Sequence, residues 1–150
     1  MNIKRYYEQL VEWYSIINSR HEDMPISGIR MAVREGQMNK KLKDCAGVWL
    51  CSNYPDFSVS AEEDNLSADY GILVYLVEKV PSGSMTSVQE LEFYNRMQQL
   101  MGELMELIVS SNWGCMGLEI VPQLRVEWEY DIFGGFSGLS VSFHAKDAQV

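Results

Sequence analysis

A chain of 150 residues with 47% hydrophobic content has the length and make-up of one globular domain, able to bury roughly 70% of its unfolded surface. A net charge of −9 argues against nucleic acid as the main partner, because phosphate binding needs clustered basic charge. No apolar run reaches the ~18 residues of a membrane span, and the opening MNIKRYYEQL lacks a signal-peptide core, so a cytoplasmic protein is expected.

Residues 3–18 read as a first helix, with Ile3, Tyr6, Tyr7, Leu10, Trp13, Tyr14 and Ile17 on one face. Pro25 and Gly28 make 19–28 a loop. In 29–45, Ile29, Met31 and Val33 alternate with arginines like a short strand. Met38, Leu42 and Cys45 then step at helical spacing, and Gly47 ends that helix. Residues 47–53 have the β-propensity of a buried strand. Phe57, Val59 and Ala61 alternate with Ser58 and Ser60, and 62–69 reads as a polar loop. Residues 70–80, YGILVYLVEKV, are apolar on both faces and predict the central strand, closed by Pro81 and Gly83.

Residues 84–112 hold the longest helical pattern. Val88, Leu91, Tyr94, Met97, Met101, Leu104, Met105 and Ile108 line one face, widened by Phe93, Leu100 and Leu107. Ser87 followed by Glu90 predicts a capping box, and Asn112 with Gly114 predicts the stop. Leu91 and Leu104 are expected in the core, with Glu90, Glu92, Glu103 and Glu106 outside. Residues 117–130 read as a strand whose Leu124, Val126, Trp128 and Tyr130 are buried, with Pro122 marking a bulge or an edge. The glycine-rich 131–138, DIFGGFSG, reads as a flexible hairpin loop exposing Phe133 and Phe136. In the last strand, 138–145, Leu139, Val141 and Phe143 point inward and Ser140, Ser142 and His144 outward.

No motif carries catalytic chemistry. Glu62, Glu63, Asp64 and Asp69 lack the spacing of a calcium loop. FGGFSG lacks the lysine and following helix of a phosphate loop. The two histidines have no motif around them, and Cys45, Cys51 and Cys115 are an odd, unpatterned set, which predicts reduced, mostly buried thiols. No metal, cofactor or enzymatic activity is therefore expected.

Charge is unevenly spread. Residues 1–45 hold eight Lys/Arg against six Asp/Glu, whereas 46–150 hold four against fifteen. Such asymmetry fits a basic and an acidic surface on one molecule. The cluster Lys40, Lys41 and Lys43 and the aromatics Phe133 and Phe136 are the candidate interface residues.

In the order of its elements the chain resembles the tail-terminator and tail-completion proteins of long-tailed bacteriophages and prophages. The resemblance is carried by the aromatic-rich helix IKRYYEQLVEWYSII, the stretch ending YGILVYLVEKV, the long helix, and the close VPQLRVEWEY followed by GLSVSFHA. Segment 29–45 departs from the family pattern. The resemblance implies an α+β fold, self-association into a ring (commonly hexameric), contact with a tail-tube or head–tail connector protein, residence in the virion, and no catalytic residues. The expectation is thus a single α+β domain over 1–150. Its antiparallel or mixed sheet of four to five strands carries helices 3–18 and 84–111 mainly on one face. The alternative is a small dimeric adaptor or ligand-binding α+β domain unrelated to phage.

Overall fold

The computed structural model describes residues 1–62, 65–81 and 83–148. In chain order the elements are α1 (Ile3–Ser19), β1 (Ile26–Ala32), α2 (Glu35–Leu42), β2 (Val48–Asn53), β3 (Asp56–Glu62), β4 (Asn65–Lys79), α3 (Ser87–Ser110), a 3₁₀ turn (Trp113–Met116), β5 (Leu118–Ile120), β6 (Arg125–Ile132) and β7 (Phe136–Asp147). The fold is α+β, and among the described residues it has three helices and one seven-stranded mixed sheet.

The order β1-β2-β4-β7-β5 runs across the sheet. Only β1 and β2 pair in parallel, joined through α2; the other ladders are antiparallel. The apolar β4 is central, as its composition predicts. On one side it pairs first with β3 (residues 65–71) and then with β2 (residues 74–78), and on the other with β7. The sheet is larger than the four to five strands expected, and two stretches differ from their reading. The stretch 65–69, read as loop, extends β4 into a hairpin with β3. The stretch 117–130 is two strands, because proline at 122 offers no N–H to the ladder; β5 and β6 lie one after the other along β7.

Alternate residues of each strand face opposite sides, and both sides are covered. Leu50, Val74, Leu76, Leu139, Val141 and Phe143 meet α1 and α3 through Tyr6, Leu10, Trp13, Met97, Leu104 and Ile108. Cys51 and Val77 point the other way and meet Met38 and Leu42 of α2. The two long helices do share one face, and the third covers the other. α1 lies over the β1–β2 end. There the Tyr6 and Ser52 hydroxyls bond at 2.7 Å, and the Asn18 amide donates to the Ile26 carbonyl and accepts from its N–H. α3 lies over β4 and β7. Its capping box is Thr86 with Gln89, one residue earlier than expected, each side chain bonding the other's backbone N–H. The helix stops as Ser111 becomes extended, and the left-handed residue beyond is Gly117, not Asn112 or Gly114.

Four expectations of burial fail. Leu91 is 72% exposed, because at 100° per residue it lies about 140° round the helix from Leu104, on the side turned away from the sheet. Val126, Trp128 and Tyr130 are exposed, the last two at 57% and 64%: β6 is an edge strand lying beyond the rim of the helix layer. Phe133 and Phe136 are buried. The turn between β6 and β7 takes left-handed backbone at Phe133, Gly134 and Gly135, which folds both rings inward under α2. Phe133 meets Tyr75 edge-on at 4.9 Å, and Phe136 joins Met38, Leu42 and Cys51. Ser140 of β7 is also buried, bonded to Glu129, where a wet face was expected.

Candidate functional site

The lysine cluster is real but not uniform. All three side chains are exposed. Lys41 is committed to its own chain: its ammonium donates to the Met31 carbonyl at 2.6 Å and stands 5.9 Å over the Tyr54 ring. Arg30 binds the same region together, stacking over Trp49 at 4.3 Å and donating to the Lys41 carbonyl. Lys40 and Lys43 form no ion pair among the described residues and carry the outward charge. The helix that carries the cluster, α2, packs beside β1, at one end of the sheet. Phe133 and Phe136, expected near it as exposed anchors, belong to the core.

The opposite end is acidic and apolar. On β6, Val126 and Trp128 pair with Val141 and Leu139 and so share the helix-bearing face. Glu127 and Glu129 alternate onto the other face, the one that carries α2. Tyr94 of α3 leans out to meet this strand. Its hydroxyl donates to the Glu129 carbonyl at 2.9 Å and its ring meets Trp128 edge-on at 5.5 Å. Leu91 flanks Tyr94 one turn earlier. Glu127 is paired with Arg125 at 2.9 Å in the open, a contact worth little in water. Sequence reasoning took Pro122 as marking a bulge or an edge but expected Val126, Trp128 and Tyr130 to be buried, and so missed this surface.

A second uncovered apolar face lies on the β3–β4 hairpin. Phe57 pairs with Tyr70, Val59 with Ala68 and Ala61 with Leu66, so these share one face, while Ser58, Ser60, Glu62 and Asp69 share the other. Phe57 and Tyr70 stack at 5.1 Å, and the N-terminal ammonium donates to the Tyr70 hydroxyl at 2.6 Å. Phe57, Val59 and Leu66 remain exposed. A two-stranded ribbon with a bare apolar face is marginal alone.

The other candidates resolve as follows. Of the four carboxylates weighed for a cation, Glu63 and Asp64 lie outside the described residues, Glu62 is exposed, and Asp69 bonds His144 at 2.9 Å. No group of metal-binding side chains occurs among the described residues. His21 bonds Glu103 at 2.7 Å, so each histidine is held by a carboxylate. Only Cys51 of the three thiols is buried; Cys45 is half-buried and Cys115 exposed, which corrects the expectation of mostly buried thiols. Burial pushes the Cys51 thiol up to about 12, against a smaller opposing pull from Arg30. Three thiols should titrate in the unfolded chain. In the native protein Cys115 should react first and Cys51 orders of magnitude more slowly; a fast native Cys51 would overturn this assignment. The hollow between Val80, Met85, Phe93, Tyr94 and Ser137 holds about 100 Å³, small for an organic ligand. A wider one of about 510 Å³ among 45–47, 78–81 and 131–135 is open and walled mainly by small residues and turns. No helix of the described residues is long and apolar enough to cross a membrane.

No family model matches the chain, and no curated protein matches it.

Proposed function

We propose that the protein is a structural subunit of a phage- or prophage-type tail, of the terminator or completion kind, and that it works by self-association into a ring. The observation that carries this reading is the unlikeness of the two ends of the sheet. One bears Lys40 and Lys43; the other bears Glu127, Glu129 and uncovered Val126 and Trp128. Unlike ends attract head to tail, whereas like ends repel, and a heterologous contact of that kind closes into a ring when its rotation permits. Apolar area left bare on a soluble chain is costly unless a partner covers it. The hairpin face of Phe57, Val59 and Leu66 serves the second contact, with a tail-tube or connector protein.

Light scattering at low salt should give a mass above that of a dimer, falling as salt screens the exposed charges. Lys40→Glu with Lys43→Glu should shift the population toward monomer while leaving the fold intact, because both side chains are exposed. Lys41 is left in place because it holds Met31. A chain that stays monomeric at high concentration and low salt counts against the reading, as does an oligomer indifferent to both salt and reversal.

A further inference from the structure

The helix layer is incomplete at one end of the sheet and has a spare apolar flank at the other. α1 turns Arg5, Gln9, Glu12 and Ile16 toward α3 and the turn that follows it. Arg5 donates to the Cys115 carbonyl at 2.8 Å, and Gln9, Glu12 and Ile16 line a cleft with Leu107 and Ser110. The reverse flank of α1, at the β1 end, carries Ile3, Tyr7 and Val11 at four-residue spacing, one stripe along the helix. All three are exposed. At the far end, the helix-side face of β6 shows Val126 and Trp128, bordered by Tyr94 of α3, with the exposed Leu91 one turn before it. No helix of the described residues lies over them.

The charges fall on the matching faces. α2, with Lys40 and Lys43, covers the sheet face opposite α1, and Glu127 and Glu129 point to that same face at the other end. If two copies are set edge to edge with the same face up, two contacts form together. Above the sheet, Ile3, Tyr7 and Val11 of one copy meet Val126, Trp128 and Leu91 of the next. Below it, Lys40 and Lys43 meet Glu127 and Glu129. Turning one copy over would break both contacts, since the apolar flank would then meet carboxylates. Among the described residues β6 pairs only with β7 and β1 only with β2; on the free side of β1 the Ile29 and Met31 carbonyls accept from Arg30 and Lys41 and the Val33 N–H donates to Gln37, so a neighbour meets this edge through side chains.

We infer that the occupant of the β6 edge is the β1 edge of a second copy of this chain. The flank of α1 lies in the helix position over Val126 and Trp128, and the contact is made by side chains because the outward carbonyls of β1 are already bonded. The inference rests on the self-association proposed above and names its surfaces.

Two variants test it by mixing. Glu127→Lys with Glu129→Lys makes both edges basic, and Lys40→Glu with Lys43→Glu makes both acidic. Each alone should associate about tenfold or more weakly than the parent at low salt. An equimolar mixture should recover high mass by light scattering, because each variant's edge then meets its opposite. Because Glu129 also holds Ser140, circular dichroism checks the fold. A second measurement uses the unaltered chain. Isotope-labelled and unlabelled copies are mixed and treated with a carbodiimide, which joins amines to carboxylates in contact. Mixed-isotope peptides linking 40–43 to 127–129 are expected. An oligomeric parent without those links, or charge variants that assemble as the parent does and gain nothing on mixing, overturns this interface and leaves self-association standing. A parent that is monomeric throughout overturns both.

Discussion

Leu104→Ala should lower the unfolding free energy by on the order of 2–5 kcal/mol, whereas Leu91→Ala on the same helix should change it by less than about 0.5 kcal/mol. Leu104 is fully buried with Met97, Met101 and Ile108 against the helix-bearing face of the sheet. Its truncation removes the transfer free energy of the deleted carbons and leaves a cavity that long, packed helices close only in part. Leu91 lies more than three turns nearer the start of α3, on its outer side, and has little packing to lose within the monomer. Chemical denaturation at a concentration where the chain is monomeric reads both. In an assembly that buries the β6 edge, Leu91→Ala should weaken association and still spare the fold. Equal losses from the two leucines would mean that the uncovered first turns of α3 are packed in solution.

Gly138→Ala should be at least as damaging, beyond the ~1–3 kcal/mol typical of overpacking. Gly138 sits in β7 opposite Val77 of β4, with φ of +157°. A Cβ there would lie 2.0 Å from the Leu76 carbonyl oxygen and 3.1 Å from the Met97 methyl. A side chain could rotate away, but the carbonyl belongs to the middle strand of the sheet and cannot yield without breaking ladder bonds. The expected outcome is loss of soluble, cooperatively unfolding protein, or a large drop in denaturation midpoint. Gly83→Ala is the control. It lies outside the sheet with nothing within 4 Å of the added carbon, so its cost is limited to its left-handed backbone. Similar stabilities for the Gly138 variant and the parent would overturn the packing described at the β4–β7 crossing.

Much of the fold was legible in the sequence. The stepping of Tyr6, Leu10, Trp13 and Ile17 marks α1 to within a residue, and the doubly apolar run at 70–80 marks the middle of the sheet. The alternation in β7 correctly places Leu139, Val141 and Phe143 inward. The candidate interface was legible only in part. Clustered lysines are visible in any sequence, but that Lys41 is tied down and Lys40 and Lys43 are not depends on Met31 and Tyr54, which precede and follow α2 in the chain and are brought beside it by the fold.

What the sequence determined by itself is which face of each element is apolar, because side-chain period is a local property of helical or extended backbone. It also determined the charge of each stretch. Whether an apolar face is covered was decided by tertiary structure alone. Val126 and Trp128 carry the same periodic signal as Val141, yet they lie past the rim of the helix layer. Phe133 and Phe136 sit in a glycine-rich turn that reads as exposed, yet left-handed backbone at 133–135 folds them beneath α2. Coverage depends on where a second layer stops, and that is set by strand order and by which strands share an edge, contacts between residues far apart in the chain. The same long-range placement sets the basic end of the sheet opposite its acidic one.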